Sequence, residues 1–223
     1  ICGWSLIKKK SISNKTKIIP VDSEHFSIWS SLNKFNINNP INLNKSIQNL
    51  FITASGGPFR NTSSKNFKNI KINQAIKHPT WKMGKKISID SATMMNKVFE
   101  IIEAKKIFDL SYKKLSILIH PKSYVHAIIK FRNGLIKIVA HETNMKIPIF
   151  NSLYSSNSFI NSKKLDLKIL NDLSFKEINY KRFSVINILN KLPENSSLFE
   201  TILVSINDKL VELFLTNKIK FTD

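Results

Sequence analysis

The sequence predicts an α/β chain of the α+β kind. A mixed, mostly antiparallel sheet flanked by helices is expected over residues 16–150, followed by a linker and part of a helical region. Three observations carry this expectation. Short apolar runs of strand length alternate with polar turns through the first 150 residues. One long stretch, "ATMMNKVFEIIEAKKIF" at 92–108, has helical spacing instead. Asn133-Gly134 separates "YVHAIIKF" from "LIKIVAH", and that dipeptide supplies the positive φ angles of a tight hairpin.

Taken in order, residues 1–15 precede the main domain, and "TKIIPVD" at 16–22 has the length and apolarity of a buried strand ending at acids. Residues 26–50 begin with helical spacing and turn loop-like at "NINNP". "NLFITAS" at 49–55 is a second strand, stopped by "GGPF". Residues 61–81 are polar, irregular and expected to hold one short helix. The 92–108 helix can be capped by Asp90 or Ser91, whose side-chain oxygens accept from its free N–H groups. Residues 151–180, rich in Ser and Asn, are expected as a linker. Residues 181–223 return to helical spacing from 184, with a break at Pro193.

Length and composition bound the function. A chain of 223 residues, 42% of them hydrophobic, can bury a substantial core. No apolar run approaches the ~18 to 20 residues of a membrane span. The start, "ICGWSLIKKK", places its basic cluster after the apolar residues, the reverse of a signal peptide, and lacks Met; residue 1 is taken as a cut inside a longer chain. The only cysteine is Cys2, so no disulfide framework exists, and a cytoplasmic, reducing compartment is expected. The net charge of +20 comes from 35 basic and 15 acidic residues. It suits either a basic anion- or nucleic-acid-binding protein or a chain drifting toward the A/T-rich codons of Lys, Asn and Ile. The lysines are scattered rather than gathered in a stripe, so no specific nucleic acid is expected.

Several constellations carry chemistry. Asp22 and Glu24 are two apart, so on an extended segment both carboxylates face one point. They either hold a hard divalent cation or form a solvated acidic turn. On the 92–108 helix, Thr93, Asn96, Lys97, Glu100 and Ala104 form one stripe. That stripe either lines a cavity, with Glu100 as a third carboxylate, or is a salt-bridged solvent face. "TASGGPF" at 53–59 offers backbone N–H groups and the Ser55 hydroxyl to a phosphate, or is an ordinary turn. "KHPTWKMG" at 77–84 reads as a lid carrying His78 and Trp81, or as a loop anchored by its Trp. The chain has only five glycines, and three lie in these two loops, where a Cβ would clash at a turn or beside a ligand. His120, His126 and His141 follow no zinc spacing and are taken as structural.

Together, "PVDSEH", "SGGPFR", "HPTWKMGKKISIDSATMMNK", "EIIEA" and "LIHPKSYVHAII", in this order and spacing, resemble 1-deoxy-D-xylulose 5-phosphate reductoisomerase. The resemblance is strong over 16–150 and weaker through "NDKLVELFLTNKIKFTD". It implies NADPH-dependent rearrangement and reduction of 1-deoxy-D-xylulose 5-phosphate to 2-C-methyl-D-erythritol 4-phosphate, in non-mevalonate isoprenoid synthesis. It implies a divalent metal (Mg, Mn or Co) on Asp22, Glu24 and Glu100, and a homodimer. Glu24, Glu100 and His78 are implied as catalytic. Substrate contacts are implied for Ser23, Glu24, Ser55, His78, Ser91, Asn96, Lys97 and Glu100, with Ser55, Ser91, Asn96 and Lys97 on the phosphate. Trp81 is implied as the flap residue, and Gly84, Met83 and Met145 as the nicotinamide side. The sequence departs from the pattern in several ways, among them the absent Asn-Lys-Glu stretch before "CG" and "SIND" at 205–208 in place of an "AANE"-like stretch. No G-x-G-x-x-G is present, so the NADPH-binding domain is expected to be missing and the isolated chain inactive. His141 stands where the family has Gly before Glu142.

Overall fold

The computed structural model describes residues 1–33, 43–154, 158–195 and 197–223. The centre of the fold is β1 (Ile47–Ala54), whose Leu50, Ile52 and Ala54 are buried. It pairs in parallel with β2 (Leu115–Ile119) and antiparallel with β3 (Val125–Phe131). β4 (Ile136–Ala140) closes one edge and the two-residue β5 (Lys176–Glu177) the other, giving the order β4-β3-β1-β2-β5. One pairing of four is parallel, so the mixed, mostly antiparallel sheet expected from the sequence is found. "NINNP" lies outside the described residues.

The β3–β4 hairpin forms at the expected place by a different turn. Gly134 alone has positive φ, at +89°. Phe131 N–H donates to Leu135 O (2.9 Å) and Gly134 N–H to Phe131 O (3.1 Å). This is a three-residue turn with glycine at its left-handed position, not a two-residue turn using both Asn133 and Gly134.

The parallel β1–β2 pair needs a long crossover. It carries a 3-10 turn (Ser64–Asn69) and three helices that follow α1 (Trp4–Ser13), α2 (Ser23–Asn33) and α3 (Leu43–Ser46): α4 (Ile72–Ala75), α5 (Lys85–Thr93) and α6 (Met95–Phe108). The sequence led us to expect one helix from residue 92. Instead, a helix begins at Lys85 and breaks at Met94, whose φ is +71°. Asp90 and Ser91 therefore lie inside α5 and cap nothing, and the Thr93 hydroxyl receives the Met95 N–H (3.2 Å). The break lets two helices bury different faces. α5 places Ile89 and Ala92 against Val211 and Phe214, while α6 places Val98, Ile101 and Ile102 in the main core with β1 and β2.

The strand expected at 16–22 does not form. Pro20 lacks the N–H a paired strand requires, and Asp22 is followed at once by α2. Beyond the sheet come α7 (Lys146–Leu153), α8 (Leu167–Asn171), a 3-10 segment (Ser184–Lys191) and α9 (Phe199–Leu215). The stretch expected as a linker thus holds α8 and β5, and Ile178 next to β5 enters the main core. Among the described residues, no helix is long and apolar enough to cross a membrane.

Candidate functional site

Asp22 immediately precedes α2, Glu24 lies in its first turn, and Glu100 is in the middle of α6. One oxygen from each carboxylate lies within 4.8 Å of the others. They converge for a reason other than strand geometry. His25 ties the start of α2 to α6: Nε2 meets the Glu100 carbonyl (2.9 Å) and Nδ1 meets Asp22 Oδ2 (2.8 Å). A carbonyl and a carboxylate only accept, so both ring nitrogens donate and the ring is an imidazolium. Burial works against that charge, but the Asp22 carboxylate, with help from Glu100 and Glu103, holds the His25 pKa at about 9. In return His25 keeps Asp22 below the usual carboxylate range despite burial.

The centre of the cluster is crowded with negative charge. Lys97 Nζ reaches Glu24 Oε1 (2.5 Å) and Glu100 Oε2 (2.7 Å), and Asn96 donates to Glu100 Oε1 (2.5 Å). Burial and then the neighbouring Glu24 push Glu100 well above the ordinary carboxylate range, and Lys97 offsets only part of this. Burial also opposes the charge on Lys97, but Glu100, Glu24 and Asp22 outweigh it and hold the ammonium firmly protonated. Three hard oxygen donors this close fit a single divalent cation with ligands at ~2.0–2.6 Å. Lys97, implied by the resemblance as a phosphate contact, here bonds the carboxylates.

The carboxylates form one wall of a cavity of about 250 Å³. Ser55 and Gly56 enter from the turn after β1, His78, Trp81 and Met83 from the following loop, Ser91 from α5, and Met145 from the start of α7. Ser23, Asn96 and Lys97 line it as well. The sequence thus named most of the wall. Gly84 differs: it is the exposed N-cap of α5 and has nothing within 4 Å of a Cβ built on it. A second cavity, about 320 Å³, lies among Phe67, Phe183, Phe214 and Phe221 behind α5 and contains none of these carboxylates.

His78 organises the polar side. Its Nδ1 accepts from the backbone N–H of Thr80 (3.2 Å) and Trp81 (3.0 Å), so the proton is on Nε2, which donates to Ser55 Oγ (3.0 Å). Ser55 Oγ also accepts from Gly57 N–H (3.1 Å), which leaves the hydroxyl hydrogen available to an anion in the cavity. Burial, with Lys97 and Arg60 adding to it, lowers the His78 pKa to about 4. Below its ordinary value near 6.5 the unfolded chain takes a proton that the folded chain refuses. This contribution to stability is complete above pH ~6.5 and is lost as pH falls toward 4. His78→Gln is therefore expected to flatten the fall in Tm between pH 6.5 and 4, measured by thermal melts against the unaltered chain.

Sequence reasoning missed Ser123 and His126, which also line the cavity. His126 was taken as structural because it follows no metal spacing. Its place on β3 opposite the carboxylates depends on strand order, which no local pattern encodes.

Two family models match the chain. One, described as the 1-deoxy-D-xylulose 5-phosphate reductoisomerase C-terminal domain, covers residues 18–108, and another, a DXP reductoisomerase C-terminal domain, covers residues 141–223. The chain is 62% identical over 224 residues to a 1-deoxy-D-xylulose 5-phosphate reductoisomerase of Pelagibacter ubique (strain HTCC1062), covering all of this chain and 56% of that relative. It is 40% identical over 228 residues to the enzyme of the same description from Wolbachia sp. subsp. Drosophila simulans (strain wRi), again across 100% of this chain and 56% of the relative. Among solved structures, a DOX-P reductoisomerase in complex with NADPH, fosmidomycin and magnesium superposes with a TM-score of 0.89 at 32% identity, covering 100% of this chain and 55% of that one. The Zymomonas mobilis enzyme in complex with NADPH gives 0.86 at 31% identity, covering 100% and 56%. The chain spans a little over half the length of the relatives it matches.

Proposed function

Because this chain belongs to the 1-deoxy-D-xylulose 5-phosphate reductoisomerase family and carries its C-terminal domains, we propose that it forms the metal- and substrate-binding part of that enzyme. The reaction is the NADPH-dependent conversion of 1-deoxy-D-xylulose 5-phosphate to 2-C-methyl-D-erythritol 4-phosphate. The observation that carries the reading is the convergence of Asp22, Glu24 and Glu100 on one point, where their mutual repulsion calls for a cation.

Asp22, Glu24 and Glu100 are the residues that would hold a divalent ion. Bound there, magnesium, manganese or cobalt supplies Lewis acidity to the substrate's carbonyl and hydroxyl oxygens. Ser55, Ser91 and Asn96 provide hydroxyl and amide groups for the substrate phosphate, and Ser23 and His78 flank the rest of the molecule. Lys97 now bonds Glu24 and Glu100; with a cation held by those carboxylates, its ammonium would be free to serve the phosphate as a point charge. Metal and phosphate binding are thereby coupled through one side chain. Met83 and Met145 offer an apolar wall for the nicotinamide that supplies hydride. A homodimer is supported by edge strand β4, where Ile136 (58% exposed) and Ile138 (53%) leave an apolar face in solvent. The single cysteine is consistent with a cytoplasmic setting.

Titration with Mn²⁺ tests this reading: saturable binding at one site per chain supports it, and its absence refutes it. The flap is tested separately. Trp81 is half-buried and its ring meets that of His126 in a T-shaped contact (6.4 Å between centroids), so closure over a phosphonate should change its emission. Because Trp4 and Trp29 also emit, the comparison is with Trp81→Phe, which should lose the response to phosphonate plus Mn²⁺. An undiminished response in Trp81→Phe would remove Trp81 from the flap.

A further inference from the structure

The proposed chemistry does not use His141. Its ring lies flat on that of His126, with centroids 3.7 Å apart and planes within 17°. His126 Nε2 lies 3.1 Å from the His141 carbonyl, so Nε2 carries the proton, since a carbonyl only accepts. In the neutral ring this leaves Nδ1 as the lone-pair nitrogen of a side chain that lines the cavity. No hydrogen bond to Nδ1 is made among the described residues. His141 is itself fixed: its Nδ1 donates to the Glu142 carbonyl (2.7 Å), which sets the ring plane. Its buried Nε2 lies on the other side of the ring, and the backbone of Ser23, the residue between Asp22 and Glu24, is close to the imidazole. The Trp81 ring also meets His126, tilted by 64°.

We propose that His141 is a positioning residue, whose ring holds His126 in one plane and in the Nε2–H tautomer so that Nδ1 is presented to a hydroxyl of the phosphorylated substrate. The flat contact stops the His126 ring from turning about its outer bond. Without it, the ring could turn over, which exchanges the places of Nδ1 and Cδ2 and takes Nε2 off the carbonyl, so neither the acceptor's place nor the tautomer would stay fixed. The inference rests on reading the cavity as the substrate site, but its test needs neither metal nor substrate. Failure of the Mn²⁺ titration and failure here are therefore distinguishable.

The test is ¹⁵N NMR of the histidine rings in the full chain at pH 7. His126 should show one protonated and one lone-pair nitrogen at well-separated shifts. In His141→Gly the two resonances should move toward their average, and in His141→Phe, which keeps a flat ring, they should stay apart. His141→Leu fills the space without a flat face and should behave like the glycine variant, which keeps the question open to test should the glycine chain fail to fold. A His126 spectrum unchanged in His141→Gly would overturn the proposal, and so would one unchanged in His141→Leu, the outcome a purely space-filling His141 predicts. Averaged signals in His141→Phe would overturn it equally.

Discussion

Glu100→Gln is expected to weaken Mn²⁺ binding on the order of 100-fold while leaving the metal-free fold intact. The amide keeps the volume and removes one of only three anionic ligands gathered within 4.8 Å. Stability should move differently from affinity. Glu100 is buried next to Glu24, which raises its pKa, so at neutral pH its ionised form is a burden on the folded metal-free chain. The substitution relieves that repulsion, and Lys97 keeps Glu24 as a partner. The melting temperature of the metal-free variant at pH 7 should therefore be no lower than that of the unaltered chain. Calorimetric Mn²⁺ titration and thermal melts on the same two proteins check both halves. Unchanged Mn²⁺ affinity would mean that Glu100 is not a ligand. A large drop in the metal-free melting temperature would mean that its main role is structural.

Gly57→Ala is expected to destabilise the chain by about 2–4 kcal/mol. Gly57 has φ of +66°, in the left-handed region that disfavours a Cβ. A Cβ there would sit 2.7 Å from the Ser91 carbonyl oxygen and 3.1 Å from Ala92 Cα, both backbone atoms of α5 that cannot swing aside. For a chain of this length the melting temperature should fall by about 5–15 °C. The same wedge separates Ser55 from Ser91, the two hydroxyls proposed for phosphate, so phosphonate affinity should fall as well. Gly84→Ala is the control: φ is −64° and the built Cβ meets nothing within 4 Å, so its melting temperature should stay within about 1–2 °C. Equal effects from the two substitutions would show that the close approach of the turn to α5 is unimportant.

These two glycines show where local reading stops. The sequence marks both as sites where a side chain could clash, yet only Gly57 presses on another element. The difference is made by α5, which begins seven residues earlier than the apolar spacing suggested. Its start at Lys85 was hidden because "KKIS" has no strong helical period of its own. Its break at Met94 is held by two separate cores pulling successive faces in different directions.

What the sequence determined by itself was chemical identity: the acids at 22, 24 and 100, the hydroxyls at 55 and 91, the histidine and tryptophan of the 77–84 loop, and the glycine needed to turn the β3–β4 hairpin. These are properties of residue type and short spacing, and a motif order over 150 residues made them legible. The tertiary structure alone decided how they meet. Asp22 and Glu24 face one point because they flank the start of a helix, not because they alternate along a strand, and they meet Glu100 through the buried His25 imidazolium, which lies 75 residues from Glu100 in the chain. Likewise, Lys97 reaches Glu24 because α2 and α6 pack into one core, and His126 lies under His141 because β3 pairs with β4. Contacts of that range depend on which distant surfaces pack together to remove apolar area from water, and a one-dimensional pattern does not record that choice.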